Sequence, residues 1–96
     1  MIVSFGNAET EALWIGDVAG ARGLPSDIRR VAVRKLAYLD AAIDLRDLRS
    51  PPGNHLEALT GDLAGHHSIR INDQWRIVFR WRDNRPHEAR VIDYHR

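Results

Sequence analysis

Trp75-Arg76-Ile77-Val78-Phe79-Arg80-Trp81-Arg82 is the stretch that decides the fold. Large apolar side chains take every second position, Trp75, Ile77, Phe79 and Trp81, and alternate with Arg76, Val78, Arg80 and Arg82. A period of two is the signature of a strand, here with one apolar face and one arginine-bearing face. Just before it, His67-Ser68-Ile69-Arg70-Ile71 also alternates. Asn72-Asp73-Gln74 between them reads as a tight hairpin turn, because Asn and Asp tolerate left-handed dihedrals. On the far side, Asp83-Asn84-Arg85-Pro86 reads as a second turn and Glu88 to Tyr94 as the last strand, centred on Val91 and Ile92. Asn54 to Leu59 is expected to add a short strand, followed by a loop over Gly61-Asp62-Leu63-Ala64-Gly65.

Upstream the period changes to that of a helix. After Leu24-Pro25, Ser26 is the expected N-cap, and Asp27 sits where the helix dipole favours an acid. Ile28, Val31, Ala32, Lys35, Leu36, Leu39, Ala42 and Ile43 then recur at three- and four-residue spacing, which predicts an amphipathic helix of about five turns. Arg29, Arg30, Arg34 and Asp40 fall mainly on the other face, expected to be solvated. Leu45-Arg46-Asp47-Leu48 adds a short turn, and Ser50-Pro51-Pro52-Gly53 is expected to end all helix. Nearer the start, Met1 to Phe5 reads as a first strand, Asn7 as the cap of a short helix, and Gly16, Gly20 and Gly23 as breakers. Helices first and antiparallel strands after give an α+β fold, with the helices on the Trp75/Ile77/Phe79/Trp81 face and the arginine face left open.

The composition narrows the function. The chain has 96 residues, 14 basic against 13 acidic side chains, and no cysteine. One domain over residues 1–96 is expected, burying roughly 65 % of the unfolded surface. Without cysteine there is no disulfide scaffold, thiolate zinc site or cysteine nucleophile. No stretch reaches the ~20 apolar residues of a membrane helix, and the first residues carry no basic leader region, so a soluble cytoplasmic protein is expected. Lys35 is the only lysine; every other basic residue is arginine. Arginine forks match phosphate oxygens bidentately, so Arg70, Arg76, Arg80 and Arg82 on one sheet face make a candidate anion-binding surface, unless each pairs with an acid.

The second candidate is Val91-Ile92-Asp93-Tyr94-His95-Arg96. An acid, a phenol, an imidazole and a guanidinium in succession read either as a frayed polar tail or as the groups that RNA cleavage needs. One group takes the proton of the 2′-hydroxyl, another protonates the leaving oxygen, and cations surround the phosphorane. In a regular strand Asp93 and Tyr94 point to opposite faces, so their joint use needs a twist or bulge. His55, His66, His67 and His87 match no standard zinc spacing, and no metal is expected.

Leu56-Glu57-Ala58-Leu59-Thr60-Gly61-Asp62, the block from Ser68 to Ile77, the Arg34 to Asp40 pattern of the helix and the closing Asp93-Tyr94-His95 together resemble the HigB toxins of the RelE/ParE superfamily, also called plasmid-maintenance killer proteins. The resemblance covers nearly the whole chain. It implies two N-terminal helices on a twisted antiparallel sheet. It also implies the toxin of a type II toxin–antitoxin pair, an endoribonuclease that cuts mRNA in the ribosomal A site and uses no metal or organic cofactor. The implied partners are a HigA-like helix-turn-helix antitoxin and the ribosome. Carried over by position, Arg70 and Arg76 would bind the scissile phosphate; Arg80 is a further substrate-binding candidate from its place on the same sheet face. Asp93 and His95 would be the acid/base candidates, Tyr94 would position or stack substrate, and Glu57 could assist as a base. Thr60 departs from the family, which commonly has lysine there. At an effective dielectric near 20, a unit charge about 4 Å from a developing anion is worth roughly 4 kcal/mol, so unless Arg70, Arg76 or Arg80 compensates, a weaker toxin or one with altered codon preference is expected. Two other functions fit the same scaffold: a ParE-like poison of DNA gyrase, and a regulatory module that binds antitoxin without catalysis.

Overall fold

The computed structural model describes residues 1–94. Two helices, α1 (Ala8–Ile15) and α2 (Ser26–Ala41), precede four strands, β1 (Glu57–Ala58), β2 (His66–Arg70), β3 (Trp75–Arg82) and β4 (Arg85–Asp93). The strands form one sheet in the order β1-β2-β3-β4, and every pairing is antiparallel. The α+β architecture follows the expected order of elements, and β3 has the bounds that its alternation predicts.

The core forms where the α2 stripe meets the apolar sheet face. Ile28, Ala32, Leu36 and Leu39, spaced by three or four residues, are buried against Ile69, Ile77, Phe79, Ala89 and Val91. Trp75 and Trp81 are half-buried at the ends of that face and pack on the core. Val78, on the arginine-bearing face, is also fully buried, so that face is not open along its whole length.

Helix α1 starts where expected. Asn7 Oδ1 accepts the Thr10 backbone N–H at 2.9 Å, and Gly16 ends the helix with φ at 83°. Thr10 is fully buried and its Oγ1 accepts the Val91 N–H at 2.8 Å, which ties α1 to β4. The start of α2 differs from expectation. Pro25 is the cap, its φ of −54° and extended ψ leading directly into the helix, and Ser26 is already helical with no side-chain cap bond. The polar face of α2 is also more engaged than a solvated face. Arg29 Nε and Nη2 donate back to the Leu24 carbonyl at 2.9 and 2.7 Å, and Asp40 Oδ1 accepts the Ile2 N–H at 2.8 Å.

Helical turns do not end at Ser50. Besides the expected turn at Leu45–Arg49, short 3-10 turns form at Pro52–Asn54 and Gly61–Leu63, and the strand expected from Asn54 to Leu59 shrinks to the two residues of β1. The β2–β3 turn is an Asx turn, with Asn72 Oδ1 accepting the N–H groups of Gln74 and Trp75, both at 2.8 Å. The β3–β4 turn uses only Asp83 and Asn84, at φ 53° and 58°, the mirror-image geometry that suits a two-residue hairpin. Strand β4 therefore begins at Arg85, earlier than its sequence suggests.

A β-bulge interrupts β4. Val78 pairs with Arg90 but Arg80 with His87, which leaves one extra residue on β4, and Glu88 takes a positive φ of 55°. The expected first strand docks at this bulge by a single parallel bridge, Phe5 to Ala89. Ser4 Oγ accepts the Glu88 N–H at 2.9 Å, and Gly6 donates its N–H to the Ala89 carbonyl at 2.9 Å. A side chain on Gly6 would bring a Cβ within 2.8 Å of the Glu88 carbonyl oxygen, so the close approach requires glycine.

Candidate active site on the sheet face

Cross-strand registry sets the face. Glu57 lies opposite Ser68, Ser68 opposite Val78, Arg70 opposite Arg76, and Arg76 opposite Ile92. Directly opposed residues share a face, so Glu57, Ser68, Arg70 and Arg76 stand together on the side away from the helices. Arg76 is the centre of this group. Its Nε donates to Ser68 Oγ at 2.8 Å and its Nη2 to the His55 carbonyl at 2.6 Å, while Nη1 lies 3.8 Å from Glu57 Oε1. The Tyr94 ring centre is 5.7 Å from its Cζ, within cation–π range. The Arg76 side chain is only 13 % exposed. A guanidinium gripped at several nitrogens is preorganised, so it can oppose a developing negative charge with little rearrangement.

Two cations directly opposite one another repel, and an acid offsets each of them here. Arg70 pairs with Asp73 in the β2–β3 turn, and Arg76 with Glu57 on the edge strand. Arg80 does not join the cluster. It pairs with Glu88 at 3.1 Å, and four residues of strand place it about 13 Å along from Arg76. Arg82 lies 3.8 Å from the same carboxylate. Acid partners thus hold all four arginines that the alternation singled out.

The C-terminal candidates divide as strand geometry requires. Asp93 pairs across with Trp75, on the helix-side face, and its Oδ2 accepts from Gln74 Nε2 at 3.0 Å. Tyr94 follows on the Arg76 side, its N–H donating to the Gln74 carbonyl at 2.7 Å. His95 lies outside the described residues. Thr60 is exposed and precedes the Gly61–Leu63 turn without a side-chain cap bond. A cleft of about 240 Å³ borders Glu57 on the sheet edge and is lined also by Arg46, Arg49, Leu56 and His67. Among the described residues no three His, Asp or Glu side chains stand together as metal ligands, and no helix is long and apolar enough to cross a membrane.

The sequence does not reveal what grips Arg76. Ser68 is fully buried on the arginine face, and its place two residues before Arg70 in an alternating strand is the signal that could have found it. The His55 carbonyl carries no sequence signal. His55 has φ 44° and ψ 55°, a left-handed conformation that costs a non-glycine residue roughly 1–2 kcal/mol. Lys35 belongs to the apolar stripe of α2 and is 5 % exposed. Burial, and after it the Arg34 and Arg70 charges, hold its amine below the ordinary lysine value. Burial likewise lowers the His67 imidazole.

Known proteins resemble this chain in sequence and in shape. A family model described as the RelE-like toxin of the type II toxin–antitoxin system HigB matches residues 4–95. Toxin HigB-1 of Vibrio cholerae is 52 % identical over 62 residues, which span 65 % of each chain. An uncharacterized Haemophilus influenzae protein is 41 % identical over 61 residues, 64 % of this chain and 60 % of that one. The matched segment thus spans a little under two thirds of either relative. Two solved YoeB–YefM complexes from Staphylococcus aureus, one of them heterotetrameric, contain chains that superpose with a TM-score of 0.59 at 21 % and 24 % identity; each match covers 100 % of this chain and 97 % of the other.

Proposed function

From the premise that this chain belongs to the HigB-like family of RelE-like type II toxin–antitoxin toxins, we propose that it is an endoribonuclease that cuts mRNA on the ribosome without a metal ion. The observation that carries this reading is the Arg76 guanidinium, fixed by Ser68, His55 and Glu57 beside the Tyr94 ring. In the proposed reaction a base removes the 2′-hydroxyl proton and the 2′-oxygen bonds to phosphorus. The bond to the 5′-oxygen then breaks and an acid protonates that oxygen. The products are a 2′,3′-cyclic phosphate and a 5′-hydroxyl.

Arg76, with Arg70 beside it, would hold the phosphate and oppose the charge of the phosphorane. Tyr94 would stack on a base. Glu57 and His95 are the proton-transfer candidates on this reading. Glu57 lies beside Arg76, and His95 is included from its sequence position alone. Asp93 would instead steady the end of β4 through Gln74. Arg80, held by Glu88, would contact the RNA farther along the strand.

The partner would be a HigA-like antitoxin in the cytoplasm. The similarity in fold to chains solved in toxin–antitoxin complexes supports an antitoxin partner in general terms. Net charge near +1 supplies little attraction for naked RNA, so the ribosome would present the substrate. A reconstituted translation system tests this. Codon-phased cuts in mRNA on ribosomes, absent from free mRNA, support the reading. Equal cutting of free mRNA at physiological salt refutes ribosome dependence, and inhibition without any cuts refutes the nuclease.

A further inference from the structure

Arg76 is gripped partly by a segment outside the sheet, and that segment is itself fastened to α2. Asn54 is fully buried, and its side-chain amide is engaged at both ends. Oδ1 accepts from Lys35 Nζ at 2.6 Å, while Nδ2 reaches the Leu48 and Ser50 carbonyls at 3.2 and 3.3 Å. The next residue is His55, whose carbonyl accepts from Arg76 Nη2 at 2.6 Å. His55 is exposed and left-handed, so its side chain does little to hold the strained backbone in place. The fastening comes from the residue before it.

We propose that Lys35 and Asn54 are positioning residues for the active site, a buried clamp that fixes the His55 carbonyl and through it the orientation of the Arg76 guanidinium. A buried lysine is a costly way to fill a core position, since an apolar side chain of similar length would avoid desolvating an ammonium group. Its use here is intelligible if the group it donates to must stay in one place. A strained backbone conformation persists only where its surroundings over-determine it, and the Asn54 amide supplies that constraint. Neither residue touches the proposed substrate position; both act through the backbone. The effect on cleavage rests on the nuclease reading above, whereas the effect on Arg76 does not.

The test compares wild type with Lys35→Met, which keeps the length of the side chain, and Asn54→Ala. The first readout is the exchange with water of the Arg76 Nη2 protons, which the His55 carbonyl accepts, followed by NMR in the free protein. The second is kcat and KM for cutting mRNA on ribosomes. The clamp predicts folded variants in which exchange of the Arg76 Nη2 protons rises at least tenfold, with kcat falling about tenfold and KM little changed. Unchanged Arg76 exchange in both folded variants overturns the proposal, whatever happens to cleavage. Accelerated exchange in a protein whose wild type cuts nothing leaves the clamp standing and removes the nuclease reading. If neither variant folds, wild-type protein decides the matter through the exchange of the Asn54 Nδ2 protons. Protection of these and of the Arg76 Nη2 protons agreeing within threefold supports a single unit. Arg76 remaining protected while Asn54 exchanges more than tenfold faster overturns it.

Discussion

Replacing Arg76 by lysine keeps the charge and removes the fork. The guanidinium reaches Ser68 Oγ with one nitrogen and the His55 carbonyl with another, at 2.8 and 2.6 Å. A single ammonium on a flexible stem cannot reproduce both contacts from the same backbone position. Loss of one hydrogen bond to a charged group costs about 1.5–3 kcal/mol, and the fully buried Ser68 hydroxyl is left short of a donor. The contact with the Tyr94 ring adds about 0.5–1 kcal/mol. The Glu57 pair, 3.8 Å apart with the acid 38 % exposed, adds less than about 1 kcal/mol, and lysine can retain part of it. The expected loss is therefore about 2–4 kcal/mol. For a domain of this size that lowers Tm by about 10–25 °C. If the same contacts orient Arg76 in the transition state, cleavage slows by about 100-fold, since each 1.36 kcal/mol is about tenfold in rate. Thermal unfolding followed by circular dichroism and single-turnover cutting of ribosome-bound mRNA measure the two effects. An Arg76→Lys protein that melts within a few degrees of wild type and cuts within threefold of its rate would refute the idea that the fork is what matters.

The other predictions concern Thr60, His67 and Thr10. Thr60 is exposed, so a lysine there would act through water, where a unit charge at about 4 Å is worth roughly 1 kcal/mol rather than the larger interior value; Thr60→Lys should speed cleavage by no more than about fivefold, and a hundredfold gain in the same single-turnover assay would contradict this placement. His67 has its pKa lowered by burial from the ordinary 6.5. The unfolded chain therefore binds the proton more readily, and stability is full above pH 6.5 and falls as the pH drops from there through the folded-state value. Denaturant titrations between pH 7.5 and 5 should show a shallower acid loss for His67→Phe than for wild type; parallel curves would count against a buried, proton-resisting imidazole. Thr10→Val should cost about 1–3 kcal/mol in the same titrations, because the Val91 N–H loses its buried acceptor; a loss below about 0.5 kcal/mol would show that this link between α1 and β4 is dispensable.

Much of the fold is legible because it depends on local pattern. The alternation of β3 fixes which side chains face the helices, and Asn72 marks the Asx turn that leads into it. Asp83 and Asn84 also signal a turn, although its two-residue length becomes visible only when Arg85 pairs with Arg82. Other features are set by contacts between distant parts of the chain. The bulge at Glu88 adds one residue to β4 at a position without glycine, and the expected first strand meets β4 there through a single bridge. At the site, the arginines and Tyr94 are visible as residue types, and opposite sides for Asp93 and Tyr94 follow from period two. The His55 carbonyl is not visible, because a backbone oxygen carries no side-chain signature. Lys35 shows only as a charge within an apolar stripe, and its partner Asn54 lies across a proline-rich turn that sequence spacing alone does not place.

Induced expression of wild type beside Arg76→Ala and His95→Gln in a bacterial host, with RNA 5′ ends mapped within minutes of induction, separates a nuclease acting on translated mRNA from a toxin with another target. A ribosome-dependent nuclease centred on Arg76 gives growth arrest with codon-phased cuts in translated mRNA for wild type, and neither cuts nor arrest for the two variants. Arrest without mRNA cuts, or cuts that persist at the wild-type level in Arg76→Ala, would contradict it.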